Sequence, residues 1–376
     1  MIIQTLDIKD NCSGVYYNQN FLFEDYQQAI SSCKFAWKHS DLLEEENYTY
    51  LYLMVKDEDL SQYSHDPELF LLFHKKMLAH QKAATTAKVS LDTECFFNLI
   101  PESQLKKWFE IRHQCLKSAL EMNSKNSDYD ILHKAHVLTT TISRQNINFG
   151  TKKGKVLYNI FGSATGRLTT KRGSVPILTL KKEQRSMLTP QNDAFVELDL
   201  NAAEIRMLMA LSGKEQPQQD IHEHLQQQIF GGWGKRSEFK ERLFAWLYNP
   251  NSEDTVFDAF FSRDTFRDFF AVEDQVLTTS FGRRLPVDER KAQNYLLQST
   301  TSDQVIENAY KIQKMLKGTK STIAFTLHDS IILDMSQEDA IMLREIKDQF
   351  EQTRWGRFVS TCKIGKNFGT LKEIKF

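Results

Sequence analysis

Apolar residues recur at the 3.6-residue spacing of a helix with one buried face across 67–79 and 101–122. Elsewhere in residues 1–150 aromatic and charged groups alternate without a clear strand pattern, so that stretch is expected to be mainly helical. From 152 to 185 glycines and threonines separate short extended pieces, the pattern of loops. Residues 194–198 form a short apolar strand candidate running into Asp199, and 202–211 have the composition of a buried helix. Two more helices are expected over 235–248 and 287–316. Residues 321–335 are β-branched and apolar on both sides of His328-Asp329-Ser330, which reads as a hairpin.

Composition narrows the class only a little. At 376 residues, 41% hydrophobic and 26% charged, the chain can hold two or three packed units around a sizeable core. The net charge of -1 gives no global sign of nucleic-acid binding, so any basic surface has to be local. One exists: nine Lys and Arg between 152 and 185 face a single acid, Glu183. Five scattered cysteines with no CxxC spacing argue against a disulfide framework and a zinc site. The start of the chain lacks a signal-peptide layout, and no run of about 18 apolar residues could span a bilayer. A soluble, cytoplasmic protein without a membrane partner is the expectation.

Asp199 falls where a strand ends and Asp329 at the turn of a hairpin, so rigid elements could hold two carboxylates together. Such a pair calls for cations, and two Mg2+ roughly 3.5–4 Å apart are the known arrangement for in-line phosphoryl displacement. Taken singly, each reads rather as a surface turn aspartate, and only the surrounding motifs reverse that. Arg236, Lys240, Phe244 and Tyr248 are spaced four apart and share one broad helix face. Cations there suit a triphosphate, with Lys240 able to protonate a departing pyrophosphate, and the aromatics suit a sugar and base. The same face also describes an amphipathic helix with an aromatic core stripe. Arg290, Asn294 and Gln298 repeat the spacing with hydrogen-bonding side chains fit for template and primer, or simply for water. Thr165-Gly166-Arg167, inside the basic stretch, could let a nucleic-acid backbone approach closely.

In this order the motifs resemble the family A DNA polymerases, the group of bacterial DNA polymerase I and many phage replicases. Thr165-Gly166-Arg167-Leu168-Thr169-Thr170 is similar to the family's TGRLSS segment. Leu198 to Arg206 resembles the first palm motif, DYSQIELR, keeping Asp199, Glu204 and Arg206. Arg236, Lys240, Phe244 and Tyr248 fit the fingers-helix pattern, with Asn249 in place of its glycine. Arg290, Asn294 and Gln298, then Leu327-His328-Asp329-Ser330, resemble the second palm motif and its hairpin, while Gly365-Lys366-Asn367-Phe368 looks like phage members.

The resemblance implies an α+β right-hand fold: a thumb-like helical region over 1–150, palm over 151–212 and 281–376, fingers over 213–280. It implies template-directed extension of a primer 3′ end with dNTPs, with Asp199, Asp329 and the carbonyl of Leu200 holding two Mg2+. Arg236, Lys240, Phe244 and Tyr248 would bind the dNTP, and Glu204 would crowd a ribose 2′-hydroxyl. Thr165, Gly166, Arg167, Arg290, Asn294, Gln298 and His328 would touch primer-template DNA.

Ser330 stands where the family has a glutamate. Leu91-Asp92-Thr93-Glu94 imitates an exonuclease motif, but too little chain precedes Lys152 to hold that domain. Proofreading is therefore expected from a separate subunit, in phage replication within a host cytoplasm. A non-catalytic primer-template scaffold and a single-subunit RNA polymerase remain as alternatives.

Overall fold

The computed structural model describes residues 2–6, 12–17, 20–22, 51–54, 66–89, single positions between 101 and 111, and 128–375 apart from 250, 251 and 262. The chain divides into two compact units, Met1–Asn126 and Ser127–Phe376.

In the first unit, β1 (Ile2–Leu6), β2 (Cys12–Tyr17), β3 (Asn20–Leu22) and β4 (Leu51–Met54) form an antiparallel sheet in the order β3-β2-β1-β4. This sheet joins the helical segments expected within 1–150, a stretch whose sequence shows no clear strand pattern. Apolar residues are adjacent rather than alternating in Ile2–Leu6 and Leu51–Met54, so period-two patterning is missing, and β1 pairs with a strand far along the chain. Helix α1 (Pro67–Thr86) outruns the expected 67–79. Asp66 caps it, accepting from the Leu69 amide at 3.0 Å, with proline in the first turn and Glu68 favourable to the helix dipole. Positions 103, 104, 107 and 111 are helical, but most of the helix expected over 101–122, and all of 91–94, lie outside the described residues.

The second unit is built on a five-stranded antiparallel sheet of β5 (Ala194–Leu200), β6 (Thr322–Leu327), β7 (Ser330–Met335), β8 (Ser360–Gly365) and β9 (Lys372–Ile374), ordered β6-β7-β5-β8-β9. Alternation along β5 decides its two faces: Val196, Leu198 and Leu200 are buried, whereas Glu197 and Asp199 are only half-buried on the other side. The unit's longer α-helices are α2 (Tyr129–Arg144), α3 (Ala203–Leu211), α4 (Ile221–Phe230), α5 (Arg236–Tyr248), α6 (Thr255–Phe261), α7 (Glu289–Met315) and α8 (Leu343–Glu351). α7 packs against α2, α3 and α8, and from Ser299 to Ala309 it is buried all round. Asn308 there donates to the carbonyls of Phe350 at 2.8 Å and Gln352 at 3.0 Å, whereas the hydroxyls of Ser299, Thr300 and Thr301 have no protein partner.

The stretch 152–185 contributes small strands, as expected. Lys152–Gly154 pairs with Ile147–Phe149, and Tyr158–Asn159 with Thr169–Thr170. The Tyr158 hydroxyl ties the second pair to β6, donating to the Thr326 carbonyl at 2.6 Å and accepting from its amide at 2.9 Å. Among the described residues no helix is long and apolar enough to cross a membrane.

Candidate active site

Antiparallel register brings the two aspartates together. Asp199 lies opposite Ser330, and His328-Asp329 make the two-residue turn between β6 and β7. The Leu200 amide donates to the Asp329 carbonyl at 3.3 Å, and the Asn201 amide to the Val359 carbonyl at 2.9 Å, which stitches the end of β5 to both flanking segments. Two of the non-glycine residues with positive φ border these carboxylates: Ala202 at 50°, where the chain turns from β5 into α3, and His328 at 53°. Each such residue costs about 1–2 kcal/mol, strain that the surrounding hydrogen bonds hold in place.

Burial pushes the Asp199 carboxyl up to about 7, with Asp329 and Glu197 adding and Lys363 opposing. Burial also raises Asp329, against the pull of its own backbone amide, His328 and Arg167. A carboxylate pair held this way is short of positive charge. Among the described residues no three His, Cys, Asp or Glu gather as a closed metal cage. Magnesium keeps several waters and substrate phosphates among its ligands, so two carboxylates and a nearby carbonyl where the strands end fit it. A small pocket adjoins the turn, lined in part by Arg167, Ser302, Thr326 and His328.

Helix α5 turns Phe239, Leu243, Trp246 and Leu247 into the core. Its opposite face carries Arg236, Lys240 and Tyr248 exposed and Phe244 half-buried. The aromatic stripe is therefore not the core stripe of an ordinary amphipathic helix. Phe244 and Tyr248 stack at 5.7 Å with planes 11° apart, and the Lys240 ammonium lies 5.6 Å from the Phe244 ring centroid. Arg236 is held by Asp220 through bonds of 2.7 and 3.3 Å.

Glu204, in the first turn of α3, receives hydrogen bonds from both Arg167 and the Tyr248 hydroxyl. Burial and that carboxylate raise the Tyr248 phenol above its ordinary range. On α7, Arg290 is exposed and Asn294 and Gln298 are half-buried; Asn294 donates to the Tyr248 carbonyl at 3.4 Å and its own side-chain oxygen is without a protein partner. The α5 face, Glu204, Arg167 and the α7 stripe thus join in one chain of contacts.

Gly166 has φ 74° and its open side faces Arg283: a Cβ there would lie 2.5 Å from the guanidinium carbon. Arg283 in turn makes two bonds, 3.0 and 2.7 Å, to the fully buried Asp303. Thr165 is buried beside Ser163. Thr165 and Gly166 therefore seat the loop on α7 and leave Arg167 as the side chain that reaches the site.

Three features were given no role in the sequence reading. His222, in the first turn of α4, is buried with its ring 6.1 Å from that of Phe244, and its Nδ1 is without a partner. Burial, then Arg236 and Lys240, lower it to about 4, against the pull of Asp220, so it is neutral at pH 7. Its signal was the helix-starting Asp220 followed two residues later by a histidine. Arg206 is wholly buried and donates to the carbonyls of Asn201, Pro217 and Gln219, fixing the β5–α3 turn. Glu197 and Lys363 face each other across β5 and β8 at 2.8 Å.

No family model matches the chain, and no curated protein matches it. Among solved structures, the POL domain of Pol1 from M. smegmatis in complex with DNA primer-template and dNTP is similar over 71% of this chain and 56% of that chain, at 16% identity and a TM-score of 0.49. The chain spans just over half the length of that structure.

Proposed function

We propose that the chain is a template-directed DNA polymerase that extends a primer 3′ end with dNTPs. The observation that carries this is the convergence of Asp199 and Asp329 at adjoining strand ends, linked through Glu204 and Tyr248 to a helix face of stacked aromatics and cations. In this reading 151–212 and 281–376 are the palm and 213–280 the fingers. Asp199, Asp329 and the Leu200 carbonyl hold two Mg2+. When bound, these ions lower the charge barrier at the primer 3′ oxygen and the triphosphate.

The chain's own residues do the rest. Lys240 and Arg236 neutralise the triphosphate, Arg236 exchanging Asp220 for phosphate, and Lys240 holds the proton for the departing pyrophosphate. Phe244 and Tyr248 offer a ready-stacked wall for base and sugar. Glu204, kept in place by Arg167 and Tyr248, crowds a 2′-hydroxyl and so selects deoxynucleotides. Arg290, Asn294 and Gln298 line the groove for template and primer, with Arg167 and His328 at the primer end and Thr165 and Gly166 seating that loop. The setting we favour is phage replication.

Primer extension on a defined primer-template with Mg2+, comparing dNTPs with rNTPs, tests the proposal. Wild type should add dNTPs, and Asp199→Ala and Asp329→Ala should each lose activity by about a thousand-fold or more. A folded wild type that binds primer-template yet stays inert would favour a scaffold, and preference for rNTPs would favour an RNA polymerase.

A further inference from the structure

The face of β5 that holds Asp199 carries a second carboxylate. Glu197 lies two residues earlier, roughly 7 Å along the strand, and meets Lys363 of β8 in register at 2.8 Å. Their side chains are 12% and 34% exposed, so neither is a freely solvated surface group. Cross-strand ion pairs often only decorate a sheet. This one sits between two carboxylates and the rest of the sheet: the charge of Glu197 reaches both Asp199 and Asp329, and that of Lys363 reaches Asp199. On the other side of Asp199, Ser330 is buried and contributes no charge, its hydroxyl donating to the Leu327 carbonyl at 2.9 Å. The β5–β8 pair therefore supplies both a further anion and a tethered cation at the site.

Resting on the polymerase reading, we infer that Glu197 and Lys363 are positioning residues that set how tightly Asp199 and Asp329 hold a divalent cation. Lys363 partly offsets Asp199 and competes with an incoming ion, and Glu197 limits that competition by keeping the ammonium on its own carboxylate. The two residues thus act with opposite sign. Without Lys363 the aspartates face the solvent cation with their full charge. Without the Glu197 charge, Lys363 is released toward Asp199 and stands in the ion's way. A merely structural pair would give variants that change together, through lost stability alone.

The test is Mn2+ binding to the full chain, without DNA or nucleotide, read from the loss of the free-ion electron paramagnetic resonance signal, with thermal melting alongside. Lys363→Met should bind on the order of ten-fold more tightly and Glu197→Gln weaker by a similar factor, whereas Lys363→Arg should stay close to wild type. The Mg2+ concentration for half-maximal extension should shift in the same senses. Unchanged affinity in folded Lys363→Met and Glu197→Gln, or shifts in one direction for both, overturns the inference while leaving the polymerase reading intact. Wild type that binds Mn2+ no better than Asp199→Asn overturns the inference, and primer extension alone then decides the polymerase reading. Should Glu197→Gln not fold, Lys363→Met against Lys363→Arg decides alone: tightening supports the inference and equality ends it.

Discussion

A carboxyl that titrates near pH 7, as Asp199 does, makes the stability of the metal-free protein depend on pH in a predictable direction. Its folded-state value lies above the ordinary carboxylate range, so the folded chain holds that proton more tightly than the unfolded chain. The contribution is complete below about pH 4 and is lost as pH rises toward 7. In EDTA, wild type should therefore lose stability between pH 4 and 7 relative to Asp199→Asn, by on the order of 2 kcal/mol after solvent screening. Melting curves of both proteins across that range check it, and parallel curves would assign the slope to other groups. Added Mg2+ should stabilise wild type more at pH 7.5 than at pH 5.5, because the ion binds the ionised carboxylates. Asp199 and Asp329 could be picked out in the sequence because a strand and a hairpin each end on a charged residue. The partners that tune them could not: Lys363 reaches Glu197 through strand pairing across most of the unit, and no local window contains both.

Among the elements, the Thr165–Arg167 loop and α7 depend on one buried ion pair. An alanine at position 166 would have to take φ 74° and force its Cβ onto the Arg283 guanidinium, which Asp303 holds by two bonds. Left-handed strain and a disturbed buried charge together should make Gly166→Ala less stable by roughly 2–5 kcal/mol in chemical denaturation. A loss below about 0.5 kcal/mol would mean that the guanidinium swings aside without cost.

Helices and strands with a single strong period were legible in the sequence. Expected helices over 235–248 and 287–316 correspond to Arg236–Tyr248 and Glu289–Met315, and the 321–335 hairpin to Thr322–Leu327 with Ser330–Met335. The strands of the first unit were not legible, because Ile2-Ile3 and the unbroken apolar Leu51–Met54 show no alternation and their pairing is long-range. Gly166 was read as a place for a nucleic-acid backbone; that Arg283 fills its open side depends on tertiary packing, which spacing does not encode.

At the scale of the whole molecule, the core around β5 draws its buried residues from Ile131 onward, all within Ser127–Phe376. A fragment of residues 127–376 should therefore unfold in one cooperative transition, checked by calorimetry, and the absence of a transition would tie its stability to residues 1–126. The position of β5 at the middle of its sheet has a consequence for synthesis. Both neighbours, β7 and β8, come from much later in the chain. At about 5–20 residues per second, a ribosome leaves β5 without either partner for on the order of ten seconds. Both backbone edges of that strand are then open to any other strand, and a chaperone or the helices already made must keep them covered. A stalled ribosome would release not a weakened protein but a chain with an adhesive strand and a lone Asp199.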